Sequence, residues 1–341
     1  MSGEGRARSR ELGLAPGDLP TGPVNAITDV AGVRVGHTTL IEGASIRTGV
    51  TAIVHDLLIR RGTLPAGLAI FNGFGKMVGT TQITELGSIE TPVLLTGTLS
   101  VYRVADALLS YLHDQPAYAA TATLNPVVAE TNDGYLSDIW ARPVTAAHVR
   151  AAIEGAAGGP VAEGCVGAGI GTSSRLVRLG AGAQATVGVL VQANFGGVLT
   201  IAGAEVLPPS SPPLAEQPGG SCVIVLATDA ALSPRELERL AGRAFAGMAR
   251  TGSDFSGHSG DYALAFTTAS GAGDAAAARS VPAKDLDRLF VAAAEASEEA
   301  ILNSLLAAES MTGFRGHARQ AVPLDLVRGL LSERPGTPTG S

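Results

Sequence analysis

The sequence predicts an α+β chain in which two sheets pack face to face and carry helices on their outer sides. Three observations lead there. In both halves of the chain, strand-like runs come first and helical periodicities follow. The run Cys222 to Ala227 is apolar without interruption and reads as a buried strand. Of the 341 residues, 45% are hydrophobic and only 16% charged, against a usual charged share of about 25%. A large core, or association between subunits, must absorb that apolar surface.

The elements follow in chain order. Residues 1–20 read as a loose polar arm with solvated arginines. Ile27 to His37 alternates apolar and polar around a glycine and reads as a hairpin-like pair of short strands. Gly49 to His55, Gly67 to Phe71 and Pro92 to Thr96 read as further strands. Ser100 to His113 puts Val101, Val104, Ala105, Leu108, Leu109 and Leu112 on one helix face, with Ser100 as cap. Ala146 to Ala157 is a weaker helix capped by Thr145. Gln184 to Gln192 and Val223 to Thr228 are strands. Ser233-Pro234-Arg235-Glu236 opens a helix to about Ala249, with cap, N1 proline and capping-box glutamate in place. Tyr262 to Thr268 is a strand, and Lys284 to Ser310 one long helix or two. The Pro/Gly/Ser/Thr tail, 334–341, reads as disordered.

Composition and motifs remove several function classes. The net charge of −7 and the lack of a Lys/Arg cluster argue against a nucleic-acid partner. No apolar run approaches the ~18 residues of a membrane span, and the N-terminus lacks a secretory apolar core. A soluble cytoplasmic protein is the default expectation. Asn72-Gly73-Phe74-Gly75-Lys76 fails as a phosphate loop, because Met77 and Ile70 stand where Ser/Thr and Gly belong. Gly167, Gly169 and Gly171 have the wrong spacing for a dinucleotide fingerprint and read better as strand-entry glycines. Cys165 and Cys222 read as reduced core residues. Neither cofactor nor metal is expected.

One stretch carries chemistry of its own, Gly219-Gly220-Ser221-Cys222-Val223. It sets a serine at the start of a buried strand, after a proline-rich loop at 206–213. Breaking the Gly220–Ser221 bond would give Ser221 an α-amine beside its own hydroxyl. Such an amine has an unperturbed pKa of about 7.7–8, so much of it is neutral near pH 7.5. A neutral amine can take the Oγ proton as the oxygen attacks a carbonyl. Taken alone, Gly-Gly-Ser before a strand is an ordinary turn. Three other stretches supply context. Ser259 and Asp261 place a hydroxyl and a carboxylate just before a strand. Asn194 ends a strand with an amide able to donate to an oxyanion, a contact worth about 3–4 kcal/mol in a transition state. Glu130, in Glu130-Thr131-Asn132-Asp133-Gly134, offers a carboxylate to a substrate ammonium. Each has an ordinary turn as its plainer reading. His258 sits in a glycine-rich loop and reads as exposed and idle.

From about Asn25 to Gly316 the chain resembles the self-cleaving serine aminopeptidases of the L-aminopeptidase/D-esterase and β-peptidyl aminopeptidase family. The resemblance rests on NAITDVAGVRVGH, GFGKMVGTTQITELGSIETPVLLTGTLSVYRVADAL, NPVVAETNDGYLSDI, GIGTSSR, VGVLVQANFG, GGSCVIVLATDA, RTGSDFSGHSGDYALAF and LLAAESMTG, all in one order. It implies a four-layer αββα sandwich, like that of N-terminal-nucleophile hydrolases but differently connected. It implies cleavage between Gly220 and Ser221, with residues 1–220 and 221–341 staying together as one domain. It makes Ser221 the nucleophile, Ser259 and Asp261 its supporting pair, Asn194 an oxyanion donor and Glu130 the binder of the substrate amine. Relatives often carry Glu where Asp261 stands. Some carry an oxyanion-assisting tyrosine at Asn132, so that Asn132 or the nearby Tyr135 takes that place here. The segment 164–171 is shorter than in relatives, which bears on the pocket wall. The implied substrate is a small peptide, amide or ester with a free amine, and the implied assembly a homo-oligomer. Two other readings stay open: an N-terminal-nucleophile acyltransferase acting on an amine acceptor, and an uncleaved, non-catalytic binding or assembly protein.

Overall fold

A computed structural model describes residues 6–164, 169–206, 220–269 and 281–332. The expected proline-rich loop at 206–213, Pro218, Gly219, Cys165, Gly167 and the 334–341 tail lie wholly or largely outside the described residues, as does the middle of the shortened 164–171 segment, 165–168.

The strands are β1 (Val33–Glu42), β2 (Ile46–His55), β3 (Leu64–Gly73), β4 (Met77–Val78), β5 (Ser88–Ile89), β6 (Val93–Gly97), β7 (Val127–Thr131), β8 (Ile170–Arg178), β9 (Gln184–Asn194), β10 (Thr200–Ile201), β11 (Ala204–Glu205), β12 (Ser221–Thr228), β13 (Gly260–Thr267), β14 (Met311–Thr312) and β15 (Ala318–Arg319). The helices are α1 (Asp56–Ile59), α2 (Thr80–Leu86), α3 (Val101–His113), α4 (Ala146–Glu154), α5 (Pro234–Arg250), α6 (Ala283–Ala307) and α7 (Leu324–Ser332). One sheet runs β1-β2-β6-β7-β4 and the other β5-β3-β13-β12-β9-β8. Between them lie Ile53, Leu95 and Ala129 of the first sheet and Leu190, Val223, Val225, Leu264 and Phe266 of the second. Helices α3 and α4 cover the first sheet through Val104, Leu108, Val149 and Ile153. Helices α5 and α6 cover the second through Leu237, Leu240, Leu289 and Ala293. The four layers are therefore α, β, β, α, as expected.

Strand β12 explains the uninterrupted apolar run. Val223 and Val225 face the opposite sheet, while Ile224 and Leu226 face the helices. The two-residue period of a strand gives each face its own apolar set, so no polar face appears in the sequence. The α5 cap forms as the sequence indicates, with Ser233 N–H donating to Glu236 Oε2 at 2.8 Å and Glu236 N–H to Ser233 Oγ at 3.3 Å. Residues 283–307 form a single helix.

Three expectations are corrected. Ile27–Asp29 is a 3-10 turn, not a strand, and β1 pairs with β2 over ten residues instead of folding on itself. Strand β7 and helices α2 and α7 form where no element was expected, whereas β8 begins at Ile170, between Gly169 and Gly171, in keeping with their reading as strand-entry glycines. The N-terminal arm is docked from Arg6 onward, not loose. Arg8 pairs with Glu163 at 2.7 Å and Arg10 with the fully buried Glu299 at 2.8 Å. Arg8 also donates to Thr172 O at 2.8 Å, and Leu14 packs against Leu302 and Leu306. The arginines read as solvated have carboxylates waiting in the loop before β8 (Glu163) and in α6 (Glu299), which the linear sequence does not bring near them. Glu299 also serves an arginine of β8, since the fully buried Arg175 reaches it at 2.7 Å.

Candidate active site

Ser221 opens β12, the strand between β13 and β9, and is 3% exposed. β12 runs parallel to β13 and antiparallel to β9, which sets Ser221 opposite Gly260 on one side and Asn194 on the other. Gly220 before it fits only as glycine. A Cβ there would stand 2.6 Å from Phe195 Cα and 2.9 Å from Asn194 O. The Gly220 carbonyl accepts from Ser221 Oγ at 2.7 Å and from Gly260 N–H at 3.4 Å. The hydroxyl thus lies against the peptide group it would have to attack, and a backbone donor already points at that carbonyl oxygen.

Ser259 and Asp261 flank Gly260 at the head of β13, and both are buried. Ser259 Oγ donates to Asp261 Oδ1 at 2.7 Å, so the shorter carboxylate reaches its partner. With its proton committed there, Ser259 Oγ is left as an acceptor for a donor on the Ser221 side. The other carboxylate oxygen, Asp261 Oδ2, accepts from Asn72 Nδ2 at 2.8 Å. Asn72 also bonds Phe255 O and Ser256 O and so steadies the loop leading to Ser259. Burial pushes the Asp261 carboxyl above its ordinary range, and the bonds from Ser259 and Asn72 hold it down. The adjacent Cys222 thiol is raised well above its usual value by burial and by Asp261, so it is an inert neighbour.

Asn194 ends β9 with an exposed side chain. Its Nδ2 donates to the Asn132 carbonyl, which fixes the amide and leaves a second N–H to offer. The Asn132 side chain is turned back on its own loop and accepts from Gly134 N–H at 3.0 Å. Tyr135 lies in a different cluster. Its ring stacks on His317 at 4.5 Å, with the Arg319 guanidinium 3.7 Å from its centre.

Glu130 sits in β7, 2% exposed. Its Oε1 accepts from Lys76 N–H at 3.2 Å and meets Lys76 Nζ at 3.5 Å. Its Oε2 is buried and without a hydrogen-bond partner among the described residues. Gly75 brings this group to the head of β13: a Cβ on it would lie 3.1 Å from Gly260 Cα and 3.3 Å from Glu130 Oε1. Burial raises the Glu130 carboxyl, opposed first by Lys76 and then by Thr98. His258 lies edge-on to Phe74 at 5.6 Å.

Two participants were missed in the sequence. Asn72 and Lys76 belong to the Asn-Gly-Phe-Gly-Lys stretch, which was weighed only as a phosphate loop. A strand-ending Asn next to a glycine-flanked Lys was the available signal. Among the described residues no group of three His, Cys, Asp or Glu could hold a metal. No described helix is long and apolar enough to cross a membrane.

The αββα sandwich belongs to the N-terminal-nucleophile class of hydrolase folds. The chain belongs to peptidase family S58, whose model matches residues 25–319. It is 40% identical to the β-peptidyl aminopeptidase BapA of Sphingosinicella microcystinivorans, over 96% of this chain and 92% of the relative. A β-aminopeptidase structure from Burkholderia sp. superposes with a TM-score of 0.87 at 39% identity, covering 97% of this chain and all of the other. The L-aminopeptidase D-Ala-esterase/amidase of Ochrobactrum anthropi, described as a prototype serine aminopeptidase and a new variant of the Ntn hydrolase fold, gives 0.86 at 37% identity, over 96% and 98% of the two chains.

Proposed function

We propose that this chain is a self-processing N-terminal serine aminopeptidase that cuts its own Gly220–Ser221 bond. It then removes the N-terminal residue from short peptides, amino-acid amides or esters. The observation that carries this reading is Ser221 Oγ set 2.7 Å from the Gly220 carbonyl oxygen at the head of an inner strand.

In the cleavage step Oγ attacks the Gly220 carbonyl carbon and the scissile C–N bond breaks. Residues 1–220 are then held as an ester on Ser221, while the departing nitrogen takes up a proton and becomes the new α-amine. Water hydrolyses that ester. In turnover the α-amine accepts the Oγ proton, and Ser259 Oγ holds the amine through the acceptor that Asp261 leaves open. Asn194 donates its second amide N–H to the oxyanion. Glu130 takes the substrate ammonium, which makes the enzyme an aminopeptidase and not an endopeptidase. Oγ bonds to the carbonyl carbon of the substrate's first residue, the remainder of the substrate leaves as an amine or alcohol with the proton the α-amine had taken, and water hydrolyses the acyl-enzyme to release the first residue. The low charged fraction, 16%, fits an assembly of several such two-fragment units.

The test compares the wild type with Ser221→Ala on an amino-acid amide. The wild type should turn it over, and the variant should have no activity and migrate as one uncut chain of about 34 kDa, since one hydroxyl serves both steps. Hydrolysis by the variant, or two fragments from it, overturns the reading.

A further inference from the structure

The Glu130 carboxylate is asymmetric. Both contacts from Lys76 converge on Oε1, while Oε2 is buried and without a hydrogen-bond partner among the described residues. A buried, half-satisfied carboxylate is costly unless it is paired or kept neutral. Among the described residues the groups facing it are few. They are the Lys76 ammonium from the loop before β4, the Thr98 hydroxyl that follows β6, and the Tyr262 phenol of β13, whose own ionisation Glu130 opposes. Lys76 is the single full positive charge among them. Its side chain is about one-third exposed (34%) and is anchored by donating to Thr98 Oγ1 at 2.8 Å. The backbone N–H of the same residue holds the same oxygen, so the arrangement is built from one residue and fixed at both ends.

We propose that Lys76 is the positioning residue of the ammonium seat: it keeps Glu130 ionised, occupies Oε1, and leaves Oε2 as the acceptor for one substrate ammonium. This deepens the aminopeptidase reading and rests on it. Lys76 does not touch the reacting atoms. It sets the charge and the orientation of the group that receives the substrate's amine. Without Lys76, the buried carboxyl takes up a proton at a higher pH, and a neutral carboxyl offers an ammonium no charge.

Lys76→Met and Lys76→Arg separate this role from a structural one. In mature Lys76→Met enzyme, KM for a free-amine dipeptide should rise about tenfold, the worth of one charge-assisted contact. Its N-acylated ester analogue should lose at least several-fold less. The acid limb of kcat/KM should move up by about one pH unit, the lower end of what an adjacent opposite charge does. Lys76→Arg should restore the limb. An unmoved acid limb in Lys76→Met, or equal losses on both substrates, overturns the proposal. A second readout does not depend on turnover. The Glu130 carboxylate infrared band, assigned by difference against Glu130→Gln, should titrate at higher pH in Lys76→Met whether or not the chain is an aminopeptidase. An unchanged band midpoint refutes the role of Lys76, whereas an inactive wild type with a shifted band refutes only the aminopeptidase reading.

Discussion

Asp261 is held from both sides: Ser259 Oγ donates to Oδ1 at 2.7 Å and Asn72 Nδ2 to Oδ2 at 2.8 Å. The carboxylate therefore has both oxygens committed in a buried setting. A hydrogen bond to a charged group is worth about 1.5–3 kcal/mol.

Removing the Asn72 amide should loosen that carboxylate and the loop before Ser259. Asn72→Ala is expected to lower stability by about 1.5–3 kcal/mol, read by urea denaturation, and to lower kcat more than it raises KM. Asn72→Asp, which sets two carboxylates together, should be worse than Asn72→Ala. The reverse order would place Asn72 outside this network.

Glu130→Gln keeps the shape of the side chain and removes its charge. KM for free-amine substrates should rise about ten- to a hundredfold, the range of a lost charge-assisted contact. N-acylated substrates should change far less. Equal effects on the two classes remove Glu130 from amine recognition.

Arg175 belongs to the segment before Ser221, and its partners Glu295 and Glu299 to the segment after it. The guanidinium also donates to Pro16 O at 2.7 Å. Breaking a buried pair leaves an uncompensated charge, so Arg175→Ala should cost about 3–5 kcal/mol. The loss should appear in thermal melts and as earlier separation of the two fragments in denaturant. A change within experimental scatter would mean the network contributes nothing net.

The fold layers were legible because β12, α5 and α6 carry strong local signals. Residues 223–228 are apolar on both faces, and Ser233, Pro234 and Glu236 mark a helix start. Strand β7 was not legible, because Glu130 and Thr131 look like a solvated turn and are buried by distant groups that include Gly75, Lys76, Thr98 and, from the opposite sheet, Gln192. The docked arm was missed for the same reason: Arg8 and Arg10 find Glu163 and Glu299 only in three dimensions. At the site, Ser221, Ser259, Asp261, Asn194 and Glu130 fall on strand ends or in a strand. Asn132 and Tyr135 did not resolve from sequence. The structure turns the Asn132 amide back on its loop and stacks Tyr135 on His317.

Burial raises the Glu163 carboxyl to about 7 despite the Arg8 pair. The folded chain thus binds a proton that the unfolded chain has released between about pH 4.5 and 7. Glu163 therefore makes stability fall as pH rises through that window. Glu163→Gln should flatten this part of the stability–pH curve, measured by denaturation at several pH values. An unchanged slope would mean that Arg8 holds Glu163 ionised throughout.

The central claim is that the backbone opens before Ser221 and that the new terminus does the chemistry. Intact-mass measurement of purified wild-type protein tests it most directly. Two species are expected, one ending at Gly220 and one beginning at Ser221, with hydrolytic activity appearing as the full-length mass disappears. A single full-length mass in material that hydrolyses amino-acid amides would contradict it.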